Sequence, residues 1–272
     1  MPLEPTAPSR LPLGPGAFSL EGRVAIVTGA AVGIGRAVAL AFGRFGADVA
    51  ICDRDEANLE AVATELRALG CRVAVGLLDV RDTATVDAFV AQVATELGRI
   101  DIVVNNAGGG FAANFVAVND RGQDALVREN FTSVTNFVRS AVPRMTDGGS
   151  IINITSIEAH RAAPNFAVYS AMKAAVANLT KSLALELGHL LVRVNCIAPD
   201  VIPTPGIGEV GVHTPLPVAG HVDDVAGAAV YLASDVARFV TGTTIHVDGG
   251  NLAAGGWIRR SDGTFGTGAE PA

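Results

Sequence analysis

Between residues 23 and 250, short β-branched runs alternate with segments patterned as amphipathic helices, and the connections between them are short. This alternation constrains the chain more than any other feature. Each strand–helix–strand step closes as a right-handed crossover, so successive strands join one parallel sheet with helices on its faces. The strand-like runs are residues 24–28, 48–52, 72–77, 102–105, 150–154, 192–197 and 244–247. The helical patterns are residues 34–45, 55–69, 83–97, about 123–142, 166–187 and 221–233, and Gly46, Gly70, Gly98 and Gly188 stand where four of them stop. No internal repeat or interdomain linker interrupts the series. Residues 21–252 therefore read as one domain, preceded by an arm over 1–20 and followed by a Gly-rich tail over 253–272.

The first strand–helix junction carries a phosphate-binding pattern, Thr28-Gly29-Ala30-Ala31-Val32-Gly33-Ile34-Gly35. Glycines permit a tight turn and a close backbone approach, and a helix N-terminus offers free N–H groups and partial positive charge to a pyrophosphate. Asp53 closes the second strand 24 residues after Gly29. An acid at that distance accepts from a ribose 2′-hydroxyl. Its bland alternatives are a solvated strand-end carboxylate or a cap for the next helix. The pattern as a whole predicts a Rossmann-type, doubly wound α/β domain of about seven strands with helices on both faces. A ribose 2′-phosphate would face the Asp53 carboxylate. The loop offers only Ala30 and Ala31, and the one nearby base, Arg54, lies between Asp53 and Asp55. NAD is therefore expected over NADP.

Tyr169 and Lys173 lie one helical turn apart, thirteen residues beyond Ser156. A phenol exchanges protons poorly near neutral pH, and a neighbouring ammonium is expected to lower its pKa. With a serine hydroxyl holding the reacting oxygen, the set suits carbonyl reduction or alcohol oxidation beside a hydride carrier. Tyr-x-x-x-Lys alone is also a common exposed helix pair. Here the chain has only two tyrosines, and Tyr231 sits in an apolar helical run that reads as core.

The chain is 49% hydrophobic, 17% charged and carries a formal charge of −7. It can bury a large core and has no basic run for nucleic acid. No apolar stretch reaches the roughly 18 residues of a membrane span. Cys52, Cys71 and Cys196 are widely spaced and read as small buried thiols in a reducing, cytoplasmic setting. The five histidines have no metal-ligand spacing, so no metal is expected. Pro2, Pro5, Pro8, Pro12 and Pro15 give an extended or disordered arm without the form of a secretory signal.

In order and spacing these motifs resemble the short-chain dehydrogenase/reductases over roughly residues 20–250. The resemblance rests on the loop at 28–35, Asp79-Val80, Asn105-Asn106-Ala107-Gly108, Asn130, Ser156, Tyr169 with Lys173, and Asp248-Gly249-Gly250. It implies that Tyr169 is the general acid/base and Ser156 steadies the substrate oxygen. Lys173 would hold the nicotinamide ribose, and Asn130 would hold a water linking Lys173 to solvent. Gly29, Gly33, Ile34, Gly35, Asp53, Asp79, Val80, Asn106, Ala107 and Gly108 would line the dinucleotide, with Asn105 near the adenosine ribose. Pro199, Ile202 and Thr204 would meet the nicotinamide. The resemblance also implies a homotetramer packed through the helices at 123–142 and 166–187.

Asp200 departs from that family's pattern, which often places glycine there. Asp tolerates positive φ better than most residues, so the turn is expected to survive; a carboxylate facing nicotinamide or substrate is the functional alternative. Residues 204–215 read as a short glycine-rich lid. Gly109, Gly110, Phe111 and Phe115, with Ile157, Glu158, His160 and Arg161, read as pocket residues. A mainly apolar pocket with no basic cluster favours a bulky apolar secondary alcohol or ketone, alicyclic or steroid-like. A 3-oxoacyl thioester is the rival substrate, and a non-catalytic NAD(H) sensor or scaffold is the rival class. A methyltransferase would leave Ser156, Tyr169 and Lys173 without a purpose, and an extended-family epimerase would need a further domain.

Overall fold

The computed structural model describes residues 13–205, 207, 211–212 and 214–267. Seven strands form one sheet: β1 (Val24–Thr28), β2 (Asp48–Asp53), β3 (Val73–Leu77), β4 (Ile102–Asn105), β5 (Gly149–Ile154), β6 (Val192–Pro199) and β7 (Thr244–Val247). Their order is β3-β2-β1-β4-β5-β6-β7, and every neighbouring pair is parallel. This is the expected doubly wound sheet.

Two hydrophobic layers sandwich it. Along β1, Ala25 and Val27 face a core built with α1 (Gly33–Arg44), α2 (Glu56–Ala68) and α7 (Val222–Ala233). Val24 and Ile26 face the other core, shared with α3 (Thr83–Leu97), α5 (Ser133–Ala141) and α6 (Ala167–Glu186). Side chains alternate across a strand, so a strand covered on both faces must be apolar throughout, which accounts for the short uninterrupted β-branched runs.

Three local features differ from the sequence reading. The helix expected over 123–142 starts earlier, as α4 (Asp120–Val127), with the Asn119 side chain accepting from the Gly122 N–H. A π-helical turn, Arg128–Thr132, then joins it to α5. The Pro-rich arm is narrowed at its end: Pro15–Phe18 forms a 3-10 turn, Ala17 is buried, and Leu20 is fully buried with its N–H on the Phe45 carbonyl. The remaining prolines of the arm lie outside the described residues, except Pro15. In the tail, α8 (Asn251–Ala254) is followed by a two-stranded antiparallel pair, β8 (Ile258–Arg259) with β9 (Phe265–Gly266). Trp257 is half exposed between them.

Leu20 thus belongs to the core although it lies in a segment whose composition reads as an arm. Leu20→Ala is expected to lower unfolding free energy by about 2–5 kcal/mol, the usual range for a buried leucine. Urea denaturation checks this, and a loss under about 0.5 kcal/mol would contradict the packing.

Candidate active site

The strand order reverses between β1 and β4, and the chain leaves these strands in opposite directions. In such sheets a crevice opens outside the carboxyl ends at the reversal. A cleft of about 1070 Å³ lies there. The glycine loop, Asp53, Asp79 and Val80 line one end, and Ser156, Tyr169 and Lys173 line the other. Asn106, Ala107, Gly108, Pro199, Ile202 and Thr204 also line it. Gly35 and Asn130 do not; both sit behind the wall.

Hydrogen bonds stitch the glycine-loop end together across the reversal. The Thr28 hydroxyl accepts from the backbone N–H groups of Asn106 (3.0 Å) and Ala107 (2.9 Å) and donates to the Val104 carbonyl (3.3 Å). Asn106 Nδ2 donates to the carbonyls of Thr28 (3.0 Å) and Gly29 (3.1 Å). Gly35 packs under this loop so tightly that any β-carbon there would collide with the Gly29 carbonyl. Gly33 has φ +60, and a β-carbon on it would press on the Thr204 side chain across the cleft at 3.2 Å. The loop is therefore shaped for close backbone approach, and α1 has no acid in its first turn to compete with an anion.

Asp53 ends β2 with one carboxylate oxygen accepting from the Ala31 N–H (3.1 Å) and the other from the N–H groups of Arg54 (2.6 Å) and Asp55 (3.2 Å). Asp55, not Asp53, caps α2. The helix-cap alternative for Asp53 is thereby removed. Arg54 reaches Glu129 at 3.6 Å. The Asp79 carboxyl is pulled down to about 2, chiefly by hydrogen bonds from Arg81.

At the other end, α6 carries Tyr169 and Lys173 on one face. Lys173 is buried, and its Nζ donates to the Ile154 carbonyl (3.0 Å) while lying 5.6 Å from the centre of the Tyr169 ring. Burial lowers its pKa to about 8, against the opposing charge of the Glu129 carboxylate. Tyr169 corrects the sequence reading. Burial raises the phenol above its ordinary value, the Ser156 hydroxyl's hydrogen bond pulls it back, and the Glu158 carboxylate adds to the rise. The lysine is turned to a backbone carbonyl and does not set the direction of the shift. In the protein alone Tyr169 is an acid, not a phenolate.

Asn130 occupies the π-turn. Its Nδ2 donates to the carbonyls of Gly109 (2.8 Å) and Leu126 (3.0 Å), and its Oδ1 accepts from the Gly109 N–H (3.2 Å). It clamps the loop after β4 to the helix. A π-turn leaves backbone groups out of the usual i to i−4 ladder, and such turns recur at functional sites.

Asn105 is a second correction. It is buried, does not line the cleft, and donates to Asn153 Oδ1 (2.8 Å). Asn153 Nδ2 donates to Thr180 Oγ1 (2.8 Å), which lies 3.1 Å from Cys196 Sγ. This buried polar chain fixes β4, β5 and β6 against α6 and hence the height of Lys173. Asn153 and Thr180 were missed because nothing in their local patterns distinguishes them from ordinary strand and helix positions.

The substrate end is more charged than the sequence reading allows. Glu158, Arg161 and Asp200 all line the cleft, among Ala162, Ala163, Pro164 and Phe166. Asp200 keeps a negative φ, so no glycine-like turn is needed, and Asn251 Nδ2 donates to it at 2.7 Å. Phe111 and Phe115 do not reach the cleft; they line a small separate cavity beside Phe166 and Tyr169. Ile157 is buried, and His160 stacks edge-on against His246 instead of facing the cleft. Gly206 and Gly208 of the expected lid lie outside the described residues, whereas Pro205 and Ile207 line the cleft.

Comparison with known proteins agrees with this architecture. A family model described as enoyl-(acyl carrier protein) reductase matches residues 29–251. The chain belongs to the short-chain dehydrogenase/reductase family. It is 37% identical over 241 residues to the 3-oxoacyl-[acyl-carrier-protein] reductase of Thermotoga maritima, covering 85% of this chain and 98% of that one. It is also 37% identical over 260 residues to the cyclohexanol dehydrogenase of a Rhodococcus species, covering 85% and 96%. Among solved structures it resembles a 7α-hydroxysteroid dehydrogenase complexed with NADH and 7-oxo glycochenodeoxycholic acid, with TM-score 0.84, 32% identity and coverage of 88% and 98%. Solved members of the family hold NAD(H) or NADP. Among the described residues no helix is long and apolar enough to cross a membrane.

The buried lysine has a measurable consequence. Its folded pKa, near 8, lies below the ordinary 10.5, so between those values the unfolded chain binds more protons than the folded one. Stability therefore rises with pH through that window. Wild-type protein is expected to gain unfolding free energy relative to Lys173→Met as pH rises from about 8 to 10.5. Parallel denaturation curves for the two proteins check this, and a constant difference would contradict the burial of a charged lysine.

Proposed function

We propose that this protein transfers hydride between NAD(H) and a secondary alcohol or ketone, with a bulky apolar alicyclic or steroid-like compound as its substrate. The observation that carries the reading is the joining of two ends in one cleft: a glycine loop with a strand-end acid, and a serine–tyrosine–lysine set. The residues present fit a nicotinamide dinucleotide. Gly29, Gly33 and Ile34 would receive its pyrophosphate at the N-terminus of α1, behind which Gly35 lets the loop close. Asp53 would receive the adenosine ribose, and Asp79 and Val80 the adenine. Asn106, Ala107 and Gly108 would border its middle, and Pro199, Ile202 and Thr204 its nicotinamide end. When bound, that group supplies or accepts the hydride.

The chain's own residues handle the proton. Ser156 holds the substrate oxygen and stabilises charge developing there. Tyr169, protonated in the free protein, gives its proton to that oxygen during reduction and takes it back during oxidation. Oxidation then requires positive charge near the phenol to offset its burial, and Lys173 is the side chain placed to contribute it. Lys173 would also hold the nicotinamide ribose. Asn130, anchored in the π-turn beside Gly109, would hold the water through which Lys173 exchanges protons with solvent.

The preference for NAD rests on Asp53, whose carboxylate would repel a 2′-phosphate, and on Arg54, already engaged by Glu129. The substrate class is supported by apolar side chains at the substrate end and by the likeness to enzymes named for cyclohexanol and a hydroxysteroid. A second reading, reduction of a 3-oxoacyl thioester, is favoured by the Thermotoga relative. The reading also includes a cytoplasmic homotetramer packed through α4 and α5, which cover the helical stretch at 123–142, and through α6.

Tyr169→Phe should still bind NADH, followed by its fluorescence, while NAD⁺-dependent oxidation of cyclohexanol falls by about 10²–10⁴-fold. Unchanged turnover would overturn the assignment of Tyr169. Wild-type protein should turn over faster with NAD⁺ than with NADP⁺ at matched low concentrations, and comparable rates would overturn the role given to Asp53.

A further inference from the structure

The substrate end of the cleft holds an ion triad that neither gives nor takes the transferred proton. Arg161, on the loop after β5, contacts Glu158 at 2.9 Å and Asp200 at 3.9 Å. Both contacts use the same terminal nitrogen. A guanidinium has five N–H donors in a rigid fork, so these contacts do not exhaust it. Asp200 is only 11% exposed and is held by Asn251 at 2.7 Å. The arrangement carries one positive and two negative charges. Lys173, the other cation at this end, is buried and directed to the Ile154 carbonyl.

This charge count decides what Arg161 can receive. A substrate carboxylate or phosphate would place a third anion beside Glu158 and Asp200 around one cation. In a partly desolvated cleft that arrangement is strongly unfavourable. A neutral hydroxyl or carbonyl oxygen accepts from the guanidinium without that cost. Arg161 already serves Glu158 at 2.9 Å, so turning it toward an anionic substrate would also weaken that ion pair.

We infer that Arg161 is a specificity-determining residue that receives a second, neutral oxygen of the substrate, and that Glu158 and Asp200 exclude substrates carrying a carboxylate or phosphate. The inference rests on the ring-alcohol reading above and narrows it. The preferred substrate is then a neutral, oxygen-bearing ring compound whose second oxygen lies away from the reacting carbon.

Three probes separate the possibilities: cyclohexanol, cyclohexane-1,4-diol and 4-hydroxycyclohexane-1-carboxylate, each assayed with NAD⁺ at pH 7.5. Wild-type kcat/KM should be highest for the diol and lowest for the carboxylate. Arg161→Leu, checked for folding by NADH binding, should bring the diol-to-cyclohexanol ratio close to one, a loss of about 10-fold or more carried mainly by KM. Asp200→Asn should raise kcat/KM for the carboxylate about tenfold relative to cyclohexanol. A wild-type preference for the carboxylate, a diol-to-cyclohexanol ratio unchanged by Arg161→Leu, or no gain on the carboxylate in Asp200→Asn would each overturn this inference alone. No turnover of any of the three would overturn the ring-alcohol reading, and this inference with it.

Discussion

The stitch between Thr28 and Asn106 is the interaction on which the rest of the site depends. It joins the carboxyl end of β1 to that of β4, the two strands between which the sheet reverses. Backbone N–H and C=O groups at such strand ends have left the ladder and need other partners. Here one threonine hydroxyl and one asparagine amide satisfy several of them. The same bonds hold the glycine loop at a fixed height over the sheet, so that Gly35 can pack beneath it and Asp53 can accept from Ala31. Loss of the stitch would free the loop at one wall of the cleft and the Ala107-Gly108 segment at the other.

A second constraint is electrostatic. Lys173 is buried with one backbone carbonyl as its hydrogen-bond acceptor, and burying an ammonium in that way costs free energy. The polar chain Asn105–Asn153–Thr180 fixes the helix that carries it, so the lysine has little room to retreat. Tyr169 shares the desolvation and is pushed toward its protonated form. Lys173 is thus held near the boundary of its charge states and Tyr169 in its neutral form, with little solvent to screen a charge arriving beside them. Proton-transfer sites are commonly built in this way, through environment more than through unusual side chains.

Much of this was legible in the sequence, because it is written in local patterns. The parallel sheet follows from alternating short apolar runs and helices, and the cleft from a glycine loop placed after the first strand. The position of Ser156 beside Tyr169 was readable as a spacing. What was not legible depends on contacts between distant segments. The π-turn at Asn130 has no periodic signature. The burial of Leu20 is decided by the Phe45 carbonyl and the sheet beneath it, not by the prolines around it. Asn105 looks like a cleft residue in the strand-end motif, yet its amide turns inward to Asn153. The phenol's pKa depends on burial and on Glu158, which a helix-face argument from Lys173 does not weigh. The Arg161 triad needs the loops after β5 and β6 brought together, and no spacing encodes that.

The central claim is that this cleft carries out hydride transfer to a ring ketone with proton delivery by its own side chains. The most direct test is reduction of cyclohexanone with NADH deuterated at both hydrogens of the nicotinamide C4, followed by mass and NMR analysis of the alcohol. The account predicts one deuterium at the carbinol carbon and none elsewhere on the ring. Alcohol formed without deuterium at that carbon, or NADH bound with no alcohol formed from any ring ketone tried, would contradict it.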